Sequence, residues 1–288
     1  MRSPRLRFPS LAVFFLFCIA LGTASPVGAV EWKEHPLLSW EKKALRYFDR
    51  NDYNRAMEIA RDEEEDPNGN APLIIYYCHA QKYYLERDRN SAIYFKRHYR
   101  TTEGRLRGEN LAVLTRLVSF PSVEWNKKIN KKFLDKAFEH AGTDEFLGPI
   151  LYYLEKGSPD VSKAALIGLK TLLQKKRNIV MNGGTLSRSD RAWMSDRRLL
   201  TMLIRISGQG INPAAGFMSK IPAFVRSKVM GGAPACLALI EEPALPLLRE
   251  AAGLGNASAS ATIQLIQDAK GARLAKYPNS TWYSATGK

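Results

Sequence analysis

The chain has 288 residues, with 43 Lys and Arg against 28 Asp and Glu, a formal net charge of +15. Three cysteines in this length exclude a disulfide-stapled secreted scaffold, so the core must come from burial. The charge surplus says nothing about fold but favours anionic partners: cell-wall polymer, lipid headgroups, nucleic acid or an acidic protein.

Arg2, Arg5 and Arg7 precede the apolar run LAVFFLFCIAL at 11–21, which Gly22 and Pro26 then break. That core is too short for a bilayer span, which needs roughly 20 residues. Residues 1–29 therefore read as a secretory signal peptide, cleaved after Ala29 at Val27-Gly28-Ala29, with Ala24 the second choice. An uncleaved membrane anchor is the competing reading. Cys18 follows Phe-Leu-Phe, which does not suit lipid attachment. Cleavage predicts a periplasmic or secreted protein, with no transmembrane span in the mature chain and no nucleic acid as partner. Cys78 and Cys236 lie far apart and read as two small buried thiols rather than a disulfide.

Beyond the signal, strand signals are scarce and helical periodicity is broken at intervals by Gly, Pro and Asn. Trp40, Ala44, Tyr47, Ala56 and Ala60 run to Pro67; moving the frame by 36 residues gives Tyr76, Ala80, Tyr83 and Ala92. Large aromatics on a first helix fill the space that Ala leaves on a second. This resembles the tetratricopeptide repeat over about 37–102, with the extra length in the Asn68-Gly69-Asn70 turn. The resemblance implies helical hairpins over 30–103 and a concave face on which relatives hold a peptide. Phe48, Tyr77 and Tyr84 fall off the core pattern. They either line that face for a protein or peptide partner or pack against the next helix. Relatives that clamp a peptide carboxylate carry Lys and Asn where this chain has Glu41 and Leu45, so that clamp is not expected.

Next comes a lysine stripe. Lys128, Lys132 and Lys136 recur every four residues, beside Lys127 and Lys131 and opposite Ile129, Phe133, Ala137 and Ala141. It reads as a solvated face or as an anion-binding stripe, the latter reinforced if Lys175, Lys176 and Arg177 lie nearby.

Leu147, Ile150, Leu151 and Leu154 then form one helical face, ended by Gly157. Ser158 suits an N-cap, Pro159 the first helical position, and Asp160 the positive end of the new helix. Val161, Ala164, Ala165, Gly168 and Leu172 make the next face, with small residues where a neighbour must come close. This resembles a HEAT repeat: an apolar helix, a Pro-Asp-Val turn and an Ala-rich helix. A shift of 97 residues gives a poorer copy, Pro246, Leu247, Leu248, Ala261 and Ile266, with Ser258 at the Val161 position. Between the copies, Leu199, Leu200 and Leu203 lead to Asn212-Pro213, and Ser187 or Ser189 can cap the helix before them. The expected architecture is all-α: an α-solenoid with a tetratricopeptide-like start, a HEAT-like body over 104–270 and a polar tail from 271 to 288.

Chemistry is not evident. His35, His79, His98 and His140 lack zinc spacing, and no Ser sits between glycines at a strand-to-helix elbow. The acidic run Glu63-Glu64-Glu65-Asp66 reads as a solvated helix end. Some exported cell-wall lyases carry a similar basic helical region, but their catalytic Glu precedes a Ser, and no Glu here does. The expectation is a non-enzymatic scaffold or adaptor without cofactor or metal. Its partner is a protein or peptide on the concave face, or alternatively anionic envelope polymer or lipid headgroups on a basic helical face.

Overall fold

The computed structural model describes residues 30–63, 69–209 and 232–276. The predicted signal peptide, the Asn212-Pro213 cap and the end of the tail lie outside them. Among the described residues there are thirteen α-helices and no strand. The helices are α1 Ser39–Asp49, α2 Tyr53–Asp62, α3 Asn70–Glu86, α4 Arg89–Arg105, α5 Leu111–Ser119, α6 Lys127–His140, α7 Leu147–Lys156 and α8 Pro159–Met181. They continue as α9 Arg188–Met194, α10 Arg197–Gln209, α11 Ala233–Ile240, α12 Leu245–Gly253 and α13 Ala257–Lys276.

Local chemistry sets most boundaries. The Asp52 carboxylate accepts from the Arg55 amide to start α2, and Asp88 accepts from Asn90 and Ser91 to start α4. Ser187 caps α9 reciprocally with Asp190. Ser158 holds the expected position before Pro159, but its hydroxyl makes no capping bond; the fixed φ of Pro159 is the start signal there.

Sequential helices pack as adjacent pairs in an all-α solenoid. The first helices of successive pairs touch one another (α1 with α3 and α5, α3 with α5, α10 with α12), and so do the second helices α6, α8, α11 and α13. One apolar cluster runs through the described residues from Ala44 to Ile266, crossing the boundary expected near residue 104.

The small-residue faces are where the sequence predicts close approach. Ala44, Ala56, Ala60 and Ala80 are buried in the first two hairpins. Ala92, expected to match Ala56, is only half-buried, because α4 turns Ser91, Phe95 and Thr102 inward. Leu147, Ile150, Leu151 and Leu154 are buried on α7, and Val161, Ala164, Ala165 and Leu172 on α8. A Cβ at Gly168 would stand 2.7 Å from the Phe138 carbonyl oxygen, so α8 meets α6 at backbone distance. In the poorer copy Leu248 and Ile266 are buried. Ser258, which matches Val161 in the sequence shift, is buried too, and its hydroxyl has no partner among the described residues.

Polar groups also cross the stack. The buried Glu41 carboxylate accepts from Asn70 Nδ2 at 2.6 Å, and Asn70 Oδ1 accepts from Asn110 Nδ2 at 2.8 Å. Asn110 Oδ1 accepts from the Arg107 amide, and Glu41 accepts from the Leu38 amide at 2.7 Å. This chain ties the starts of α1, α3 and α5. Farther along, the buried Lys176 ammonium bonds Asp144 at 2.6 Å and Asp190 at 2.9 Å, joining α8 to the turn before α7 and to α9. Cys78 and Cys236 are both buried free thiols, and burial pushes Cys236 up to about 12.

Two substitutions test this packing in urea denaturation. Ala165→Leu should cost about 1–3 kcal/mol by overpacking the interface, and an unchanged midpoint would contradict the placement of that face. Asn70→Ala should cost about 3 kcal/mol by leaving a buried carboxylate and a buried amide short of a partner. A loss below about 0.5 kcal/mol would mean the polar chain does not join the helices.

Candidate functional site

Residues 30–38 form no helix, and over 30–34 their exposure alternates as an extended chain requires. Glu31 and Lys33 pair with each other on the solvent side at 2.7 Å. Trp32 and Glu34 point to the helices. The Arg198 guanidinium of α10 lies 4.0 Å from the Trp32 ring centre, a cation–π contact. Glu34 accepts from the Tyr153 hydroxyl of α7 at 3.0 Å, and Arg116 of α5 approaches its other oxygen at 3.4 Å. His35 stacks on Phe146, just before α7, with centres 5.9 Å apart. The segment thus crosses first helices of three successive pairs.

Each contact is built from below. Gly148 on α7 lets the backbone pass: a Cβ there would stand 2.6 Å from the Glu31 carbonyl oxygen. Arg198 is aimed by Glu155 of α7, which accepts from Nε at 3.0 Å and Nη2 at 2.6 Å. That fork holds the Glu155 carboxyl below its ordinary range, so the pair stays charged at neutral pH. Burial pushes the Tyr153 phenol well above its ordinary value, so it stays a neutral donor to Glu34. Between α5 and α7 a cleft of 160 Å³ remains beside Glu34, lined by Thr115, Arg116, Ser119, Tyr152 and Lys156. A second cleft of 440 Å³ continues along α10, between Glu155 and the exposed Arg197 and Arg205. The site offers an aromatic platform clamp, a carboxylate receptor and a basic extension, all suited to an extended chain.

The aromatic residues expected on a partner face are not brought together. Phe48 is 0% exposed, between Tyr53 and Phe120, and closes α1 against α2 and the end of α5. Tyr77 is 2% exposed and donates to Asn130 Oδ1 at 3.0 Å, joining α3 to α6. Both are core residues, which corrects their placement on a partner face: Phe48 is closed in by α2 and the end of α5, and Tyr77 sits on α3, which is packed on nearly every side. Tyr84 is half-buried against Tyr83 and Phe95.

The lysine stripe does face outward, but part of it is neutralised. Lys132 bonds Glu103 at 3.1 Å over the Tyr99 ring, and Lys131 pairs with Asp135. Lys128 is exposed and Lys136 half-buried. Lys175 donates to the Gly142 carbonyl and Lys176 is the buried tie described above, so neither reinforces the stripe.

His79 stacks between the helices on Tyr94, which stacks on His98, and its Nδ1 lies 2.9 Å from Ser91 Oγ. Burial first, then Arg61 and Lys82, lower its pKa to about 4. With Ser91 itself buried and bonded to Asp88, this arrangement packs α3 on α4. Among the described residues no group of three His, Cys, Asp or Glu side chains converges as a metal site, and no helix is long and apolar enough to cross a membrane. Comparison with family models, with curated proteins and with solved structures finds no match.

Gly148→Ala should push the segment off α7 without disturbing the helices. Proteolytic cleavage within residues 30–38 should accelerate about tenfold or more, while helical circular dichroism is unchanged. Equal cleavage rates would mean the segment is not held by that close approach.

Proposed function

We propose that this chain is a non-enzymatic, exported helical-repeat scaffold that holds an extended protein or peptide segment across its first helices. In this reading the first two hairpins are tetratricopeptide-like and the remainder is HEAT-like. One observation carries it: the solenoid already seats an extended segment, its own residues 30–37, through side-chain contacts from α5, α7 and α10. The contacts engage alternate residues, Trp32 and Glu34, which is how a groove reads an extended ligand while leaving the residues between free to vary. A stack of helix pairs supplies such a surface because each pair contributes one first helix to a continuous face. Export rests on the short apolar run at 11–21 with its basic start and small-residue end.

The test uses the full mature chain with Trp32→Ala and Glu34→Ala, which vacate the groove. A fluorescent peptide of sequence VEWKEHPLL should then bind, read by anisotropy, and adding Arg198→Ala should weaken it about tenfold through loss of the cation–π contact. No binding at millimolar peptide, or binding indifferent to Arg198, would overturn the reading.

A further inference from the structure

The face of α4 turned away from the body carries charges that no function so far uses. Arg89, Lys96, Arg97 and Arg100 are all exposed, and with Ile93 they fall at i, i+4, i+7, i+8 and i+11, one stripe of the helix. The inward residues Ser91, Phe95 and Thr102 lie on the opposite side. None of the four cations enters an ion pair among the described residues. Glu103, the acidic residue of α4, is taken by Lys132, and Asp88 caps the helix start. In the middle of this cationic stripe Ile93 is 64% exposed.

We propose that this face of α4 is a docking surface for an anionic lipid bilayer, with Arg89, Lys96, Arg97 and Arg100 on headgroup phosphates and Ile93 at the boundary between headgroups and acyl chains. Charge complementarity selects an anionic partner, and repulsion along the stripe is relieved only by one. The exposed Ile93 side chain selects the bilayer over a soluble polyanion, because a polymer of charges offers it nothing apolar to enter. Basic residues near such a surface contribute about fivefold each in partitioning, and the contribution falls within a Debye length. The inference replaces the α6 lysines, which are partly paired, as the anion-binding face, and it is independent of the peptide groove.

Flotation of the mature chain with vesicles of phosphatidylcholine alone, and with 30% phosphatidylglycerol, tests it. Wild type should float only with the anionic vesicles, and less at 500 mM than at 50 mM salt. Arg97→Gln with Arg100→Gln should lower the partition coefficient about thirtyfold. Ile93→Ser should lower it severalfold without altering the salt dependence. Changing Lys128, Lys132 and Lys136 together to Gln should reduce it less than the two α4 changes do. Absence of flotation overturns the proposal. So does Ile93→Ser floating as wild type, which would indicate a polyanion site, and so does a larger loss from the lysine variant, which would return the site to α6. Circular dichroism of each variant separates these outcomes from misfolding.

Discussion

The carboxylate of Glu41 fixes three things at once. One oxygen accepts from the Leu38 amide and so determines the direction in which the chain enters α1. The other accepts from Asn70, which in turn holds Asn110, so the starts of α1, α3 and α5 are set by a single string of short bonds. Apolar faces built from Ala and Leu would let neighbouring helices slide by a turn with modest loss, since such contact is not directional. A hydrogen-bonded carboxylate in a buried setting has one geometry. Its desolvation is costly, and the structure offsets that cost only in the correct register. The segment that fills the groove leaves from this point. Its seating on α5, α7 and α10 therefore starts from the direction that Glu41 sets at Leu38.

Lys176 has the corresponding place in the second half. Burial works against its charge, and the bonds to Asp144 and Asp190 outweigh it, so the ammonium is held above its ordinary range. Asp190 shows the converse: burial opposes its ionisation, and Lys176 and Ser187 keep it below the usual carboxylate range. Both halves of the stack thus combine apolar faces for adhesion with buried, hydrogen-bonded ionisable groups for alignment: Glu41 in the first, and Lys176 with Asp190 in the second. The surface charges divide differently. Opposed pairs occur where helices meet, as with Glu103 and Lys132, while α4 keeps its cations unopposed on the side facing away from the body.

Much of the fold was legible because helix packing leaves a periodic trace. The face of α7 and the small residues of α8 follow from spacing and turn chemistry alone, which also narrow the cap of α9 to Ser187 or Ser189. Glu41 was legible only as a departure from a peptide clamp, since a Glu near a helix start is ordinarily solvated and its partners lie far along the chain. For Phe48 and Tyr77 spacing alone leaves a partner face and packing against the next helix equally open, because period analysis presumes one buried face. In α3 the run Leu73 to Cys78 is buried throughout, so no face was left for a partner. The groove segment EWKEHPLL carries no helical period, and its alternation acquires meaning only once Arg198 and Tyr153 are in view. The four-residue spacing of Lys128 and Lys132 puts both on an exposed face, but sequence spacing cannot show that Glu103 reaches Lys132 from the neighbouring helix.

The groove contacts are few for the chain they order. Fixing the backbone of one residue costs about 1–2 kcal/mol, and a cation–π contact with a charge-assisted bond returns about as much as ordering two or three residues requires. Residues 30–37 are held because they are tethered at Glu41, which gives them a local concentration in the millimolar range without further contacts. A free segment with the same two anchors must compete against that tether. A successful partner must therefore add contacts that the chain's own segment lacks, and the cleft along α10 supplies a place for them. Arg197 and Arg205 flank 440 Å³ of space next to the Trp32 clamp, with Glu155 already engaged by Arg198. An extended segment with an aromatic residue, an acid two residues later and further acidic residues preceding them in the groove would use both the contacts this chain makes for itself and those it leaves open.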